Sequence, residues 1–181
     1  IVNRGGRLIG YNTDGWGFLI SLEERGVRVA GRHVVLLGAG GAARAVALHL
    51  AMAGAAKITI INRTRARAEF LLADLARAHQ PVVAAVADVG SQEARKALSE
   101  AGLVVNCTPV GMAPDVDHTP LDDVSLLPPG AVVYDTIYRP LETRLLREAR
   151  ERGLLTINGL SMLVHQGACS WEYWFGRRGP V

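Results

Sequence analysis

Short apolar runs alternate along this chain with longer segments in which apolar residues recur every three or four positions. The first pattern is typical of a buried strand, and the second of an amphipathic helix. The pattern predicts strands at residues 33–37, 58–61, 82–86, 103–106, 131–135 and 154–157. It predicts helices at residues 14–25, 42–54, 66–79, 91–100, 143–152 and 161–175. This alternation indicates the α/β class, with a doubly wound, mostly parallel sheet.

Two further segments lie outside the alternating units. Residues 1–11 are predicted to form a short hairpin that turns at Gly5 and Gly6. Thr13 or Asp14 is predicted to supply the capping oxygen of the first helix, because these side chains accept from the free N–H groups of a first turn. A chain of 181 residues, 49% of them apolar, suits one domain spanning residues 1–181.

The turn after the first parallel strand matches the pattern G-x-G-x-x-A at Gly38, Gly40 and Ala43. A first glycine permits a tight turn, a second lets a pyrophosphate approach the backbone, and a small third residue allows close packing of helix on strand. The free N–H groups at the start of the helix then attract phosphate. The pattern predicts a Rossmann-type domain that binds dinucleotide phosphates at Gly38, Ala39, Gly40, Gly41 and Ala42.

The residues after the second parallel strand indicate which dinucleotide binds. NAD sites usually place an acidic residue here to bind the ribose 2′-hydroxyl, but this strand is followed by Asn62, Arg63 and Thr64, and no acid occurs before Glu69. Arginine instead offers charged donors to a 2′-phosphate. We therefore predict NADP as the cofactor, with Arg63 as the main ligand of the 2′-phosphate. Arg67 is predicted to assist, although a solvated helix face explains Arg65 and Arg67 equally well.

Five loops follow the carboxyl ends of the predicted strands. They begin near Gly38, Asn62, Asn106, Asp135 and Asn158. In a doubly wound sheet, ligands bind beyond the carboxyl ends of the strands. We therefore expect these loops to converge on one crevice.

Composition excludes several classes of partner. The net charge of +3 is mild and the arginines are spread along the chain, so we expect no nucleic-acid partner. No apolar run suits a bilayer, so no membrane partner is expected. Cys107 and Cys169 form no metal-binding spacing and no C-x-x-C motif, which predicts no metal, reduced thiols and a cytoplasmic location. A buried position at a strand end explains Cys107 better than a nucleophilic role.

Taken together, several segments of the chain resemble the shikimate dehydrogenase family. They are residues 12–15, 38–45, 62–64, 106–112, 134–140 and 159–166, with Thr143, Leu145 and Leu146. The resemblance covers essentially the whole chain. It implies a reversible, NADPH-dependent reduction of the small-molecule substrate 3-dehydroshikimate to shikimate, a step in the synthesis of chorismate and aromatic amino acids.

The resemblance also implies roles for residues that contact the substrate. Asp14 resembles the active-site aspartate of the family, which binds a substrate hydroxyl beside a catalytic lysine, and Asn12 belongs to the same motif. Gln166 resembles the glutamine that contacts the substrate, and Tyr138 matches a tyrosine near it. Simple structural roles remain open: Asp14 as a helix cap, Gln166 as an exposed helix position, and Tyr138 packed on Pro140.

The same resemblance implies residues around the nicotinamide end of the cofactor. Ile137, Gly159 and Met162 match residues that line the nicotinamide pocket, and Thr108 matches a residue beside the cofactor. For Met162, an ordinary core position at helical spacing is the alternative.

The chain departs from the family pattern at its start. In the family, a substrate-binding domain that carries the catalytic lysine precedes this region, whereas only residues 1–13 precede Asp14 here. Neither Lys57 nor Lys96 fits the place of that lysine. We therefore expect a fragment that lacks the N-terminal domain, binds NADP(H) and turns over shikimate negligibly. Residues 1–13 and 160–181 are expected to face the missing domain, and their exposed apolar side chains would also allow a homodimer.

Three alternatives remain open at the level of sequence. The first is a quinate/shikimate dehydrogenase that uses NAD, against which Asn62 and Arg63 argue. The second is a non-catalytic NADP-binding module, which would need neither Asp14 nor Gln166. The third is the cofactor domain of another two-domain dehydrogenase, of the glutamyl-tRNA reductase or methylene-tetrahydrofolate type, which residues 12–14 and 162–166 fit less well.

Overall fold

A computed structural model of the chain describes residues 1–78 and 82–181. Its centre is a six-stranded, wholly parallel sheet with the strand order β5-β4-β3-β6-β7-β8. The strands are β1 Val2–Arg4, β2 Arg7–Ile9, β3 His33–Leu37, β4 Lys57–Ile61, β5 Val83–Ala87, β6 Leu103–Asn106, β7 Val132–Asp135 and β8 Leu155–Ile157. The helices are α1 Asp14–Glu23, α2 Gly41–Met52, α3 Arg65–Arg77, α4 Gln92–Ser99, α5 Arg144–Glu151 and α6 Leu160–Phe175, with a 3₁₀ turn at Val124–Leu126.

This strand order is that of a doubly wound dinucleotide-binding fold. Each predicted parallel strand and helix is present, and the fold class is confirmed. The predicted end of the third helix at residue 79 lies outside the described residues. None of the helices in the described ranges is long and apolar enough to cross a membrane.

The sheet separates two apolar clusters, because successive side chains of a strand point to opposite faces. On one face, Val34 and Leu36 pack against α1, α2, α3 and α6. On the other face, Val35 and Leu37 pack against α4 and α5. Both faces are covered, as is usual for a parallel sheet.

The predicted hairpin is confirmed, whereas the predicted helix cap is wrong. β1 and β2 pair antiparallel, and Gly5 and Gly6 take positive φ values of 58° and 87° in the turn. Neither Thr13 nor Asp14 provides a capping oxygen. Instead, Asn12 Oδ1 accepts from Asp14 N at 3.0 Å, because the Thr13 hydroxyl is turned towards α6, 3.1 Å from Ser170 Oγ.

Glycines allow α1 to lie close to α2 and α6. A Cβ at Gly17 would meet Met162 O at 2.6 Å and Gln166 N at 2.8 Å. A Cβ at Gly15 would meet His49 Nδ1 at 2.0 Å. Because glycine has no side chain, α1 can approach α2 and α6 this closely. The close packing in turn fixes the position of Asp14.

Candidate dinucleotide and substrate site

Three of the five loops predicted to converge are joined at the carboxyl edge of the sheet. Each begins with a backbone hydrogen bond to the last residue of an adjacent strand. The bonds run from Gly38 N to Ile61 O (2.8 Å), from Cys107 N to Leu37 O (2.8 Å) and from Thr136 N to Asn106 O (3.0 Å). One continuous crevice edge results, with two parts that differ in character. We call the turn at residues 38–42 with residues 62–67 the phosphate side, and the loops at 107–112 and 136–140 the loop side.

The glycine turn has the geometry that its sequence predicts. Gly38 has a φ of 104°, and a Cβ there would lie 3.0 Å from Thr108 Cγ2 and 3.1 Å from Cys107 O. Ala43 is fully buried between helix and strand. By contrast, a Cβ at Gly40 or Gly41 would meet no protein atom within 4 Å. The space over Gly40 is therefore open to a ligand at the positive end of α2.

The three arginines after β4 fall into two groups. Arg65 is engaged, with Nε 2.9 Å from Glu69 Oε1 and Nη1 2.9 Å from Asp88 Oδ2. Arg63 and Arg67 are exposed, and neither side chain has an ion-pair partner within the described ranges. Of the two interpretations that the sequence left open for Arg65, the structure favours the exposed helix face, where Glu69 and Asp88 engage the side chain.

Asn62 shapes the turn that presents these arginines. Its Nδ2 donates to Thr64 O at 2.8 Å, and Arg67 N donates to the same carbonyl at 3.1 Å. Asn62 and Thr64 therefore fix the backbone around Arg63. Whether they also touch a cofactor stays a prediction.

A cleft of about 480 Å³ lies between the glycine turn and α3. Arg44 and Arg67 both line it, together with Gly40 and Asp74. Asp74, whose side chain is 5% exposed, lies 2.9 Å from Arg44 Nε and 2.8 Å from Arg77 Nη1. The sequence reasoning missed Arg44, although its position one turn after Gly40 places it beside the phosphate-binding helix end.

An open cavity of about 670 Å³ lies on the loop side. Three predicted site residues, Thr108, Ile137 and Tyr138, line it. Met162 instead lies in the core, 7% exposed. Gly159 holds the loop at residues 136–140 in place, since Gly159 N donates to Ile137 O at 2.9 Å.

A buried carboxylate that the sequence reasoning did not assign to the site joins the two loops. Asp135, the last residue of β7, is fully buried. Its Oδ1 accepts from Asn106 Nδ2 and Ile137 N, both at 3.0 Å, and its Oδ2 accepts from Thr143 Oγ1 at 2.7 Å. Burial raises the pKa of Asp135 to about 6, and the three hydrogen bonds oppose that shift. The sequence did carry a signal for this role, since Asp135 ends an apolar strand and Thr143 caps the helix that follows.

Cys107 has the character of a structural residue. Burial, reinforced by the Asp135 carboxylate, raises the pKa of its thiol well above the usual range. A thiol of this kind is a poor nucleophile, because the thiolate is the reactive form. Cys107 and Cys169 are both free, with no disulfide.

The packing of α1 on α6 brings two of the predicted substrate residues, Asp14 and Gln166, near each other, and leaves Tyr138 on the loop side. Asp14 is the first residue of α1 and is half-buried. Its neighbour Thr13 donates to Gln166 Oε1 at 3.4 Å, and Gln166 Nε2 donates to Leu163 O at 3.0 Å. Tyr138 is 48% exposed on the loop side, and in residues 1–78 and 82–181 no hydrogen bond joins it to Asp14 or Gln166.

The two lysines lie elsewhere in the molecule. Lys57 begins β4, with Nζ 3.9 Å from Glu100 Oε2. Lys96 lies in α4, on the opposite face of the sheet from α1. Neither forms an ion pair with Asp14 in the part of the chain that the structure describes.

The first and last segments of the chain form one aromatic surface. The rings of Tyr11 and Tyr173 stack with centroids 4.0 Å apart, and Trp174 Nε1 donates to Ile1 O at 3.2 Å. Trp174 and Phe175 are 56% and 58% exposed. The hairpin is thus held against α6, and apolar side chains remain uncovered beside it.

Comparisons with known proteins place these features in a family context. Residues 21–111 match the family model of shikimate/quinate 5-dehydrogenase, and residues 159–181 match that of the shikimate 5′-dehydrogenase C-terminal domain. The NADP(+) shikimate dehydrogenase of Symbiobacterium thermophilum is 80% identical over all of this chain and 62% of its own length.

Solved structures give the same picture. The shikimate 5-dehydrogenase of Listeria monocytogenes, in complex with shikimate and NAD, has a TM-score of 0.92 at 37% identity over 99% of this chain and 63% of its own. The enzyme of Thermus thermophilus, in complex with NADP(H) and shikimate, has a TM-score of 0.83 at 38% identity over 99% of this chain and 62% of its own. This chain therefore spans somewhat less than two thirds of the length of these relatives.

Proposed function

The chain belongs to the shikimate/quinate 5-dehydrogenase family, and on that premise we propose that it is the cofactor-binding part of an NADP-dependent shikimate dehydrogenase. The reaction would be the reversible reduction of 3-dehydroshikimate to shikimate, a step towards chorismate and the aromatic amino acids. The free thiols of Cys107 and Cys169 support a cytoplasmic location. The observation that carries the proposal is Arg67, which lines the cleft beside the open glycine turn, with Arg63 in the same turn after β4. Neither side chain has an ion-pair partner among the described residues.

The residues of the phosphate side fit NADP. The open space over Gly40 and the free N–H groups of the first turn of α2 suit a pyrophosphate. Arg63 and Arg67 offer charged donors to a 2′-phosphate. NADPH when bound supplies the hydride, and the residues of this chain bind and orient it.

A titration with NADPH and, separately, with NADH tests the cofactor assignment. We expect saturable calorimetric binding with preference for NADPH, since NADH offers no 2′-phosphate to the arginines. The change Arg63→Ala should weaken NADPH binding about 10-fold to 100-fold, the typical worth of a charge-assisted hydrogen bond. Arg65→Ala is the matched control, because Arg65 is already paired with Glu69 and Asp88, and it should leave the affinity within about twofold.

The outcomes of this titration discriminate between the open alternatives. Equal affinity for NADH and NADPH, unchanged in Arg63→Ala, would favour the NAD-dependent quinate/shikimate dehydrogenase. The Listeria relative solved with NAD and shikimate makes that the second candidate. Absence of binding for both cofactors would contradict a dinucleotide site at the glycine turn.

Asp14, Gln166 and Tyr138 support a substrate role in addition to cofactor binding. Asp14 is a half-buried carboxylate next to the Thr13–Gln166 contact, which suits recognition of substrate hydroxyls, and Asn12 holds the backbone at this point. A ketone that receives hydride also needs a proton donor. Lys57 and Lys96 lie away from Asp14, so we place that donor outside these 181 residues.

A turnover assay with shikimate and NADP⁺ tests whether the proton donor lies outside these 181 residues. We expect the 181-residue chain to bind NADPH but to produce almost no NADPH from shikimate. The NADP(+) shikimate dehydrogenase of Symbiobacterium thermophilum serves as the active reference. Turnover by the chain close to that of the reference would contradict our placement of the proton donor, while a chain that binds NADPH without turnover agrees with it.

We further propose that residues 1–13 and 160–181 pack against the rest of the full-length protein. The support is the exposed apolar and aromatic surface that these segments form together, including Trp174 and Phe175. In the isolated chain the same surface could pair two copies into a homodimer. Light scattering that shows a strict monomer at high protein concentration would count against the homodimer.

A further inference from the structure

Two loops of the crevice depend on the buried Asp135 carboxylate. Its three donors come from three different places: Asn106 at the end of β6, Ile137 in the loop after β7, and Thr143 before α5. Burial of a carboxylate is costly unless hydrogen bonds replace its water. Each donor is therefore held to the position at which it satisfies the carboxylate.

The network continues outward from these donors on both sides. Asn106 Oδ1 accepts from Thr108 N at 2.9 Å and from Thr108 Oγ1 at 2.7 Å, and Thr108 Oγ1 accepts from Val110 N at 3.2 Å. On the other side, Thr143 Oγ1 accepts from Leu146 N at 3.4 Å. Each hydroxyl thus accepts from a backbone N–H and donates towards Asp135. Hydrogen bonds that run in one direction polarise and strengthen one another.

The network joins two loops of the loop-side cavity. Thr108 and Ile137, from two different loops, both line the cavity. Ile137 is one hydrogen bond and Thr108 two hydrogen bonds from the same carboxylate. Because the Thr108 hydroxyl donates to Asn106, its methyl group lies towards Gly38, 3.0 Å from where a Cβ would be. Within the described ranges, no hydrogen bond joins this network to residues 62–67 of the phosphate side.

We propose that Asp135 is a positioning residue, which sets the spacing of the loops at 107–112 and 136–140 for the nicotinamide end of the cofactor. This inference rests on the proposed function. Hydride transfer depends steeply on the placement of the reacting atoms, and Asp135 acts on it through Thr108 and Ile137 without touching the cofactor. Residues 62–67, which share no described hydrogen bond with this network, bind the 2′-phosphate end of the cofactor independently of it.

The test compares two ligands of the 181-residue chain by calorimetry. NADPH reaches both sides of the crevice, whereas 2′,5′-ADP carries only the adenosine, 5′-phosphate and 2′-phosphate groups. Thr143→Val removes one donor to Asp135, and we expect it to weaken NADPH binding about tenfold while 2′,5′-ADP binding stays within about twofold. Thr143→Ser keeps the hydroxyl and should restore NADPH affinity. Thr119→Val, which removes a hydroxyl bonded to Leu121 O, is the matched control and should change neither affinity.

Asp135→Asn provides a second variant if Thr143→Val fails to fold. It keeps the side-chain shape and one acceptor oxygen but replaces the other oxygen by an NH₂ group, which cannot accept a hydrogen bond. We expect the same selective loss of NADPH affinity. Equal losses for NADPH and 2′,5′-ADP would show a general role in stability and overturn the inference. Unchanged NADPH affinity would also overturn it. A wild-type chain that binds neither ligand would contradict the proposed function itself, and the inference with it.

Discussion

The two sides of the crevice differ in where their polar groups lie: exposed on the phosphate side and buried on the loop side. On the phosphate side, Arg63 and Arg67 are exposed and unpaired among the described residues, and the space over Gly40 is open. On the loop side, the polar groups of Asn106, Asp135 and Thr143 satisfy one another in the interior. The first side keeps its charge free for a charged ligand. The second side uses its polar groups to fix the geometry of the loops that line its cavity.

Glycine substitutions give the largest expected contrast between the two sides. Gly159 has an ordinary helical backbone, but a Cβ there would lie 2.0 Å from Thr136 O. Gly159→Ala must therefore displace the loop at residues 136–140, and we expect a loss of about 3 kcal/mol in the free energy of unfolding. Urea denaturation measures this loss.

Gly40→Ala is the counterpart on the phosphate side. Since a Cβ there meets nothing within 4 Å, the free energy of unfolding should stay within about 1 kcal/mol of wild type. NADPH affinity should nevertheless fall about tenfold or more, because the methyl group occupies the approach to the backbone. An unchanged free energy of unfolding in Gly159→Ala, or an unchanged NADPH affinity in Gly40→Ala, would contradict this difference between the two sides.

The pH dependence of stability provides the next largest effect. Since the pKa of Asp135 is raised to about 6, the folded state holds this proton more tightly than the unfolded state does. The contribution of Asp135 is therefore most favourable below about pH 4 and is lost as pH rises to about 6, by up to about 3 kcal/mol. Cys107 and Tyr134, the titratable neighbours, have pKa values raised above their usual ranges and stay neutral in this interval.

Asp135→Asn isolates this contribution. Chemical denaturation of wild type and variant from about pH 4 to about pH 7 should show a difference in the free energy of unfolding that changes by up to about 3 kcal/mol, in the direction that favours the variant at the higher pH. A constant difference across that range would contradict the raised pKa. The other acidic residues are common to both proteins, so they cancel in the comparison.

Arg67, the remaining arginine of the phosphate side, provides the smallest expected effect. Arg67 lines the cleft beside the glycine turn, so Arg67→Ala should weaken NADPH binding by about threefold to tenfold, less than Arg63→Ala. Added salt should reduce the wild-type affinity and narrow the difference, because exposed charges are screened. Salt-independent binding would mean that the arginines do not contact the phosphate.

Much of this architecture could be predicted from local pattern. The six apolar runs predicted the parallel strands, and Gly5 and Gly6 predicted the hairpin turn, because backbone freedom and side-chain period are properties of short segments. That the Thr13 hydroxyl does not cap α1 could not be predicted in this way. This hydroxyl contacts Ser170, and that contact exists only once α1 has packed on α6.

The sequence by itself determined the strand–turn–helix order, the glycine turn and the lack of an acid between β4 and Glu69, since each is a matter of residue type and short spacing. Only the tertiary structure decided which of the arginines after β4 forms ion pairs. Arg65 and Arg67 are alike in sequence, but folding brings Asp88 to Arg65 and leaves Arg67 at the cleft. It also decided that Asp135 joins two loops, because the carboxylate and its donors Asn106 and Thr143 meet only when β6 and β7 pair and α5 packs beside them.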